Sequence, residues 1–299
     1  MPALLMHLTL AKDTVARARQ IQELGPAATA EEPSLLLGAI LPDLAYHAHF
    51  GGQLVRHLLG RAYLASEWGD LLHHRGSGQL ALALLAHLHR AHLDADARAQ
   101  VLALLGGYLS HLAVDTVLHP LIDALVGQRR RPGEPPDALH SRIERYQSLL
   151  FHRDRLGVDL AGSPHPRRMV AQVAGVRLLG PELPEPLWQA FRVACLDTHG
   201  RAPARPEVRR WLWGIAAYGE LMSSPLGRRE RLHGDLDALR ADFYQGETVD
   251  LCAPLDQAVE LTLDYWRAAL EVLAAPKLDA EVRNRFRARV PDVDLATGA

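Results

Sequence analysis

Cysteine is nearly missing from this chain: Cys195 and Cys252 are the only two in 299 residues. Two thiols exclude a disulfide framework and a cysteine-based zinc cluster, and they fit a reducing compartment. Net charge is also small, −2 overall, so there is no bulk electrostatic footprint for nucleic acid. Aromatic residues make up only 6%, and no stacking platform for bases stands out near the residues singled out below. The longest apolar run, Leu80 to Ala86, falls far short of the roughly 20 residues that cross a bilayer. The opening Met-Pro-Ala-Leu-Leu-Met-His has no basic stretch ahead of its apolar residues. A cytoplasmic address is the expectation. Isoleucine occurs five times and no stretch alternates with period two, which argues against a β fold.

What the chain has in quantity is leucine and alanine at helical spacing, and histidine. With 48% hydrophobic and 23% charged residues it reads as an ordinary globular protein long enough to bury a sizeable core. The periodicity predicts helices near 9–24, 34–48, 52–68, 78–93, 94–126 and 136–157, and then near 167–178, 184–196, 205–221, 229–243 and 254–275. Glycine and proline punctuate the gaps, and Gly127 to Pro136, with Arg129, Arg130 and Arg131, reads as a solvated turn. The 16 histidines are about twice an average share. Thirteen of them precede residue 153. The expected architecture is all-α: a metal-binding helical core over 1–152 and a helical extension over 153–299 packed on it as one domain.

The chemistry concentrates in Ser110-His111-Leu112-Ala113-Val114-Asp115-Thr116-Val117-Leu118-His119-Pro120. His111, Asp115 and His119 follow one another at i, i+4 and i+8, on neighbouring positions of one helix face. Their neighbours are apolar, so three ionisable groups are carried on a buried helix, which is costly without compensation. A cation bound by imidazole and carboxylate is the simplest compensation. Pro120 disfavours α geometry at His119, which predicts that this ring swings toward a different ion from His111 and Asp115. A second helix repeats the spacing in His140 and Glu144. Asp43 follows Pro42, His7 lies in the first apolar stretch, and His73 and His74 stand side by side before Gly76-Ser77-Gly78.

These motifs resemble the zinc-dependent phospholipase C family, an all-helical superfamily that includes the P1-type nucleases. The resemblance runs over roughly 1–152: an early His7, Pro42-Asp43, a middle His73 or His74, His111-x3-Asp115-x3-His119-Pro120, and His140-x3-Glu144. It implies a phospholipase C/P1 nuclease-like fold and a cluster of two or three Zn2+ ions. By resemblance, Asp43, His73, His111 and Asp115 hold one zinc, and Asp115 bridges to a second held by His7 and the N-terminal residue. His119, His140 and Glu144 hold the third. His73 is preferred to His74, which becomes the aromatic ring that follows the ligand in relatives. Secreted relatives use an N-terminal tryptophan as a ligand. Here, loss of Met1 leaves Pro2 as the alternative ligand.

Other histidines have plainer readings: His47, His57, His87, His89, His92 and His152 as core, surface or capping residues. Ser77 is no nucleophile elbow, since no strand precedes it. Trp211 and Trp213 read as packing residues. Clustered zinc suits phosphoester hydrolysis because paired ions acidify water and hold phosphoryl oxygens. The expected function is a phospholipase C-like phosphodiesterase using a metal-activated hydroxide, with Asp43 orienting or deprotonating the attacking water. Its substrate is a phosphoester, phospholipid at a membrane surface being favoured over nucleic acid. The alternatives are a nuclease or small phosphoester hydrolase on the same scaffold, and a non-catalytic zinc-binding protein.

Overall fold

The computed structural model describes residues 3–18, 24–58, 66–129, 136–227 and 252–298. The first part contains α1 (Ala3–Ala18), α2 (Leu24–Ala30), α3 (Glu32–Ala39), a 3-10 turn (Pro42–His47) and α4 (Phe50–Leu58). Then come α5 (Glu67–His74), α6 (Ser77–Arg90), α7 (Ala95–Arg129) and α8 (Pro136–Leu156). The rest comprises α9 (His165–Val170), α10 (Glu185–His199), α11 (Arg205–Ser223), α12 (Cys252–Ala274) and α13 (Ala280–Arg289). No strand occurs among the described residues. The described residues form an all-α bundle.

Helix α7 is the axis of the bundle, packing against α1, α2, α3, α6, α8, α10 and α12. It is long and apolar enough to cross a membrane, but 89% of its most apolar stretch is buried inside the protein. Its closest neighbour is α3, and the approach is permitted by two glycines. A Cβ on Gly107 would lie 1.9 Å from the Leu35 carbonyl oxygen, and one on Gly38 would lie 2.0 Å from that of Leu104. Backbone therefore meets backbone there, which only glycine allows. Trp266 of α12 braces the same turn, its indole N–H donating to the Gly106 carbonyl at 2.9 Å. One apolar core runs from Leu4 and Leu5 through Leu35, Leu104 and Leu109 to Phe191, Trp211, Trp266 and Leu295. The helices after residue 153 thus share the core of those before it. A smaller cluster, including Met6, Leu10, Val114, Leu118, Ile143 and Val259, joins α1, α7, α8 and α12.

Several expected elements are redrawn. The first helix spans Ala3–Ala18, so it starts ahead of the expected residue 9 and carries His7 inside it. The 34–48 helix is two pieces, because Pro42 cannot donate into an α ladder and opens a 3-10 turn instead. Helix α9 is shorter than 167–178. Helix α5 was not anticipated; Ser66 caps it by accepting from the Gly69 N–H at 3.1 Å. Nor was α13, whose charged sequence buries only Val282 and Phe286. Pro120 does not interrupt α7, which continues to Arg129. Trp211 is buried as expected, whereas Trp213 is 43% exposed. The 229–243 helix, Pro2, the side chains of Arg129 to Arg131 and that of His57 lie outside the described residues.

Candidate metal centre

The centre is built along α7. Each step of four residues turns about 40° beyond a full circle and climbs about 6 Å, so the ridge His111, Asp115, His119 winds slowly around the helix. By His119 it has turned about 80° and risen about 12 Å. This gradual rotation, and not a swing at Pro120, carries His119 to different partners from His111.

Three groups of side chains converge, each with one donor atom per residue and all donors within 4.8 Å of one another. The first is Asp43, His73 and His111. Because α3 presses on α7 at Gly38 and Gly107, the 3-10 turn after α3 delivers Asp43 to the His111 level. His73, in the last turn of α5, places Nε2 3.1 Å from Asp43 Oδ1. The second group is His7, His111 and Asp115. His7 Nε2 lies 3.2 Å from Asp115 Oδ1, and its ring stacks on that of His111 with centroids 4.1 Å apart. The third is His119, His140 and Glu144, with His140 Nε2 3.4 Å from Glu144 Oε1.

The groups are not independent. His111 belongs to two of them. Asp115 also approaches the third, its Oδ1 lying 3.5 Å from His119 Nε2. All eight residues expected from sequence, His7, Asp43, His73, His111, Asp115, His119, His140 and Glu144, are therefore brought into one chain of contacts. His74 is not: its ring faces away and pairs with the Asp294 carboxylate at 2.9 Å. Two of the other set-aside histidines bond elsewhere. His89 Nε2 donates to the Val272 carbonyl, and His152 sits between the Thr9 hydroxyl and the Ser148 carbonyl.

Orientation comes from the far side of each ring. A carbonyl only accepts, so an Nδ1 that meets one must carry a hydrogen, and in the neutral ring that leaves the lone pair on Nε2, free for a metal in place of a proton. His111 Nδ1 meets the Ala39 carbonyl at 2.9 Å, His73 that of Gly69 at 2.9 Å, and His119 that of Ala296 at 2.8 Å. His140 Nδ1 points to the Asp123 carboxylate at 3.1 Å. Nε2 of these four rings thus faces the carboxylates, the arrangement expected of metal-binding imidazoles.

Charge reinforces the pattern. Burial pushes the Asp115 carboxyl up, yet His111, His7 and His119 around it hold it well below the carboxylate range. Burial pushes His111 and His119 down, but the Asp115 charge outweighs it and leaves both up at about 9. Asp43 is held low against its burial by the hydrogen bond from His73 and the nearby imidazoles. Glu144, also buried, is drawn down to about 2 by surrounding positive charge that includes His140 and His119. The carboxylates are therefore ionised and gathered around imidazoles that hold protons where a cation would sit. His111 Nε2 is buried without a hydrogen-bond partner, although Asp115 Oδ2 lies 2.9 Å away. Buried nitrogen and oxygen donors in this pattern fit zinc.

Asp123 and Tyr46 were missed. Asp123 had a signal, because it continues the four-residue ladder after His119. Tyr46, whose ring leans on His73 at 4.9 Å, had none beyond lying near Asp43. Family comparison agrees with this geometry: a model described as zinc dependent phospholipase C matches residues 6–172, more than half the chain. No curated protein and no solved structure matches it.

Proposed function

The chain belongs to the zinc-dependent phospholipase C family, and on that premise we propose that it hydrolyses phosphodiesters, with a phospholipid as substrate. The proposed zinc ligands are Asp43, His73 and His111; His7, His111 and Asp115; and His119, His140 and Glu144. When bound, clustered zinc supplies Lewis acidity toward phosphoryl oxygens and lowers the pKa of water toward neutrality.

The observation that carries the reading is the graded access of the three carboxylates. Asp115 is 3% exposed at its side chain, Glu144 12% and Asp43 20%. Asp115 is thus walled in by three imidazoles and serves to hold charge together. Asp43 is the carboxylate most open to an incoming water. Its Oδ1 is engaged by His73, and its depressed pKa keeps it ionised, so it accepts a hydrogen bond from the attacking water and orients it. The same depressed pKa makes Asp43 a poor store for a proton. Positioning is accordingly its main role. His140, 21% exposed at its side chain, marks the open side of the third group, where the departing oxygen is received.

The test is a parallel assay of zinc-loaded protein on phosphatidylcholine vesicles, a soluble aryl phosphodiester and single-stranded DNA. Turnover of the vesicles above DNA supports the proposal. Cleavage of DNA alone replaces it with a nuclease. No turnover of any of the three, with metal bound, points to a non-catalytic role.

A further inference from the structure

The segment from Pro291 to Gly298 lies far from the metal-bearing helices in sequence and outside the family match, yet it is laid across them. It is anchored at one end on α6. The Ser77 hydroxyl donates to the Val293 carbonyl at 2.8 Å and accepts from its N–H at 2.9 Å. The Asp292 carboxylate accepts from the Gln79 backbone and side chain at 2.9 and 2.7 Å. In the middle it crosses the end of α5. The Leu295 N–H donates to the carbonyl of His73 at 2.8 Å, the Leu295 side chain is fully buried, and Asp294 pairs with His74. Asp294 also stiffens the segment from within, accepting from the Ala296 N–H at 2.9 Å.

At the far end it reaches α7. The Ala296 carbonyl accepts from His119 Nδ1 at 2.8 Å. Gly298, at φ +73°, rests against the helix where Pro120 stands. A Cβ there would lie 2.7 Å from Pro120 Cδ and 2.9 Å from the Asp115 carbonyl oxygen. Only glycine adopts that backbone and that proximity without strain. One strap thus touches the backbone of one proposed ligand, His73, and the ring of another, His119, from two different groups.

We propose that residues 291–298 are a positioning strap of the metal centre, whose Ala296 carbonyl fixes the tautomer and aim of His119 and whose grip on His73 keeps the first group in register with the third. This rests on the zinc reading above. The strap touches no substrate; it acts through the ligands. Outer partners of this kind set metal affinity by roughly 10–100-fold, so an altered strap weakens zinc binding at His119 before it unfolds the bundle.

The experiment uses the full chain with Gly298→Val, Asp294→Ala and Asp294→Asn, and Arg285→Ala on exposed α13 as a control. Zinc affinities come from competition with a chromophoric chelator, and the His119 tautomer from imidazole nitrogen NMR of the zinc-loaded chain. Gly298→Val and Asp294→Ala are expected to weaken one zinc equivalent by roughly tenfold or more, with the His119 hydrogen no longer confined to Nδ1. Asp294→Asn, which keeps an acceptor for the Ala296 N–H, should retain most of the affinity, and Arg285→Ala all of it. Affinities within twofold of the parent overturn the inference alone. So does an equal loss at every equivalent, or a loss with the tautomer unchanged, since each marks general loosening. Failure of the parent chain to take up zinc overturns the zinc reading and this inference together.

Discussion

Asp115 Oδ1 lies 3.5 Å from His119 Nε2, and that contact ties the α8 side of the centre to the α1 side. The same oxygen faces His7 at 3.2 Å. Neutralising this one residue therefore removes charge from two sets of donors, whereas Glu144 serves only the third. Asp115→Asn should lose zinc from more than one position, and Glu144→Gln from one. Elemental analysis of the two purified variants checks this. Equal losses would contradict a bridging role for Asp115.

Asp123 should matter out of proportion to its exposure. It holds Nδ1 of His140 from the next turn of α7, so Asp123→Ala frees that ring to rotate. The expected result is roughly a tenfold loss of affinity at one zinc, read by chelator competition, with little change in thermal unfolding of the metal-free chain.

Stability of the metal-free chain should peak near pH 6.5 and fall on both sides, for opposite reasons. Burial pushes His47 and His152 down to about 4. A lowered histidine pKa means the unfolded chain binds the extra proton first. Their contribution is complete above about pH 6.5 and lost as pH falls toward 4, each worth on the order of 3 kcal/mol. His111 and His119 are raised to about 9. Their contribution is complete below about pH 6.5 and lost as pH rises through 9. Zinc replaces those protons, so the alkaline fall should disappear in the loaded protein. Urea unfolding from pH 4 to 9.5, with and without zinc, measures both arms.

Gly107→Ala should be among the most damaging small changes in the chain. The added methyl meets the Leu35 backbone at 1.9 Å, which no rotamer relieves, so α3 must move off α7. A loss of about 3 kcal/mol or more is expected. Because α3 also delivers Asp43 and the Ala39 carbonyl, zinc binding should suffer with it. Denaturant midpoints and zinc content of the same preparation check the pair of effects.

The site was more legible in the sequence than the fold around it. The His111, Asp115, His119 ladder and the His140, Glu144 pair are local, because helical spacing alone puts those side chains together. Joining them to His7, Asp43 and His73 required the resemblance, since those contacts span long stretches of chain. The role of Ala296 left no trace, because a backbone carbonyl has no residue type to read. Helix α13 was hidden for a related reason: it is held by two buried side chains and a cap at Asp279, too little for a periodicity signal. Pro120 misled because proline's missing N–H disfavours α geometry, whereas here the helix runs on and its own twist redirects His119.

Zinc content is the most direct test of the central claim that these eight side chains form a metal centre. Protein dialysed against trace zinc and then metal-free buffer should retain two or three equivalents per chain by elemental analysis, and chelation should lower its thermal midpoint. Zinc near zero, with a midpoint indifferent to chelator, would contradict the account.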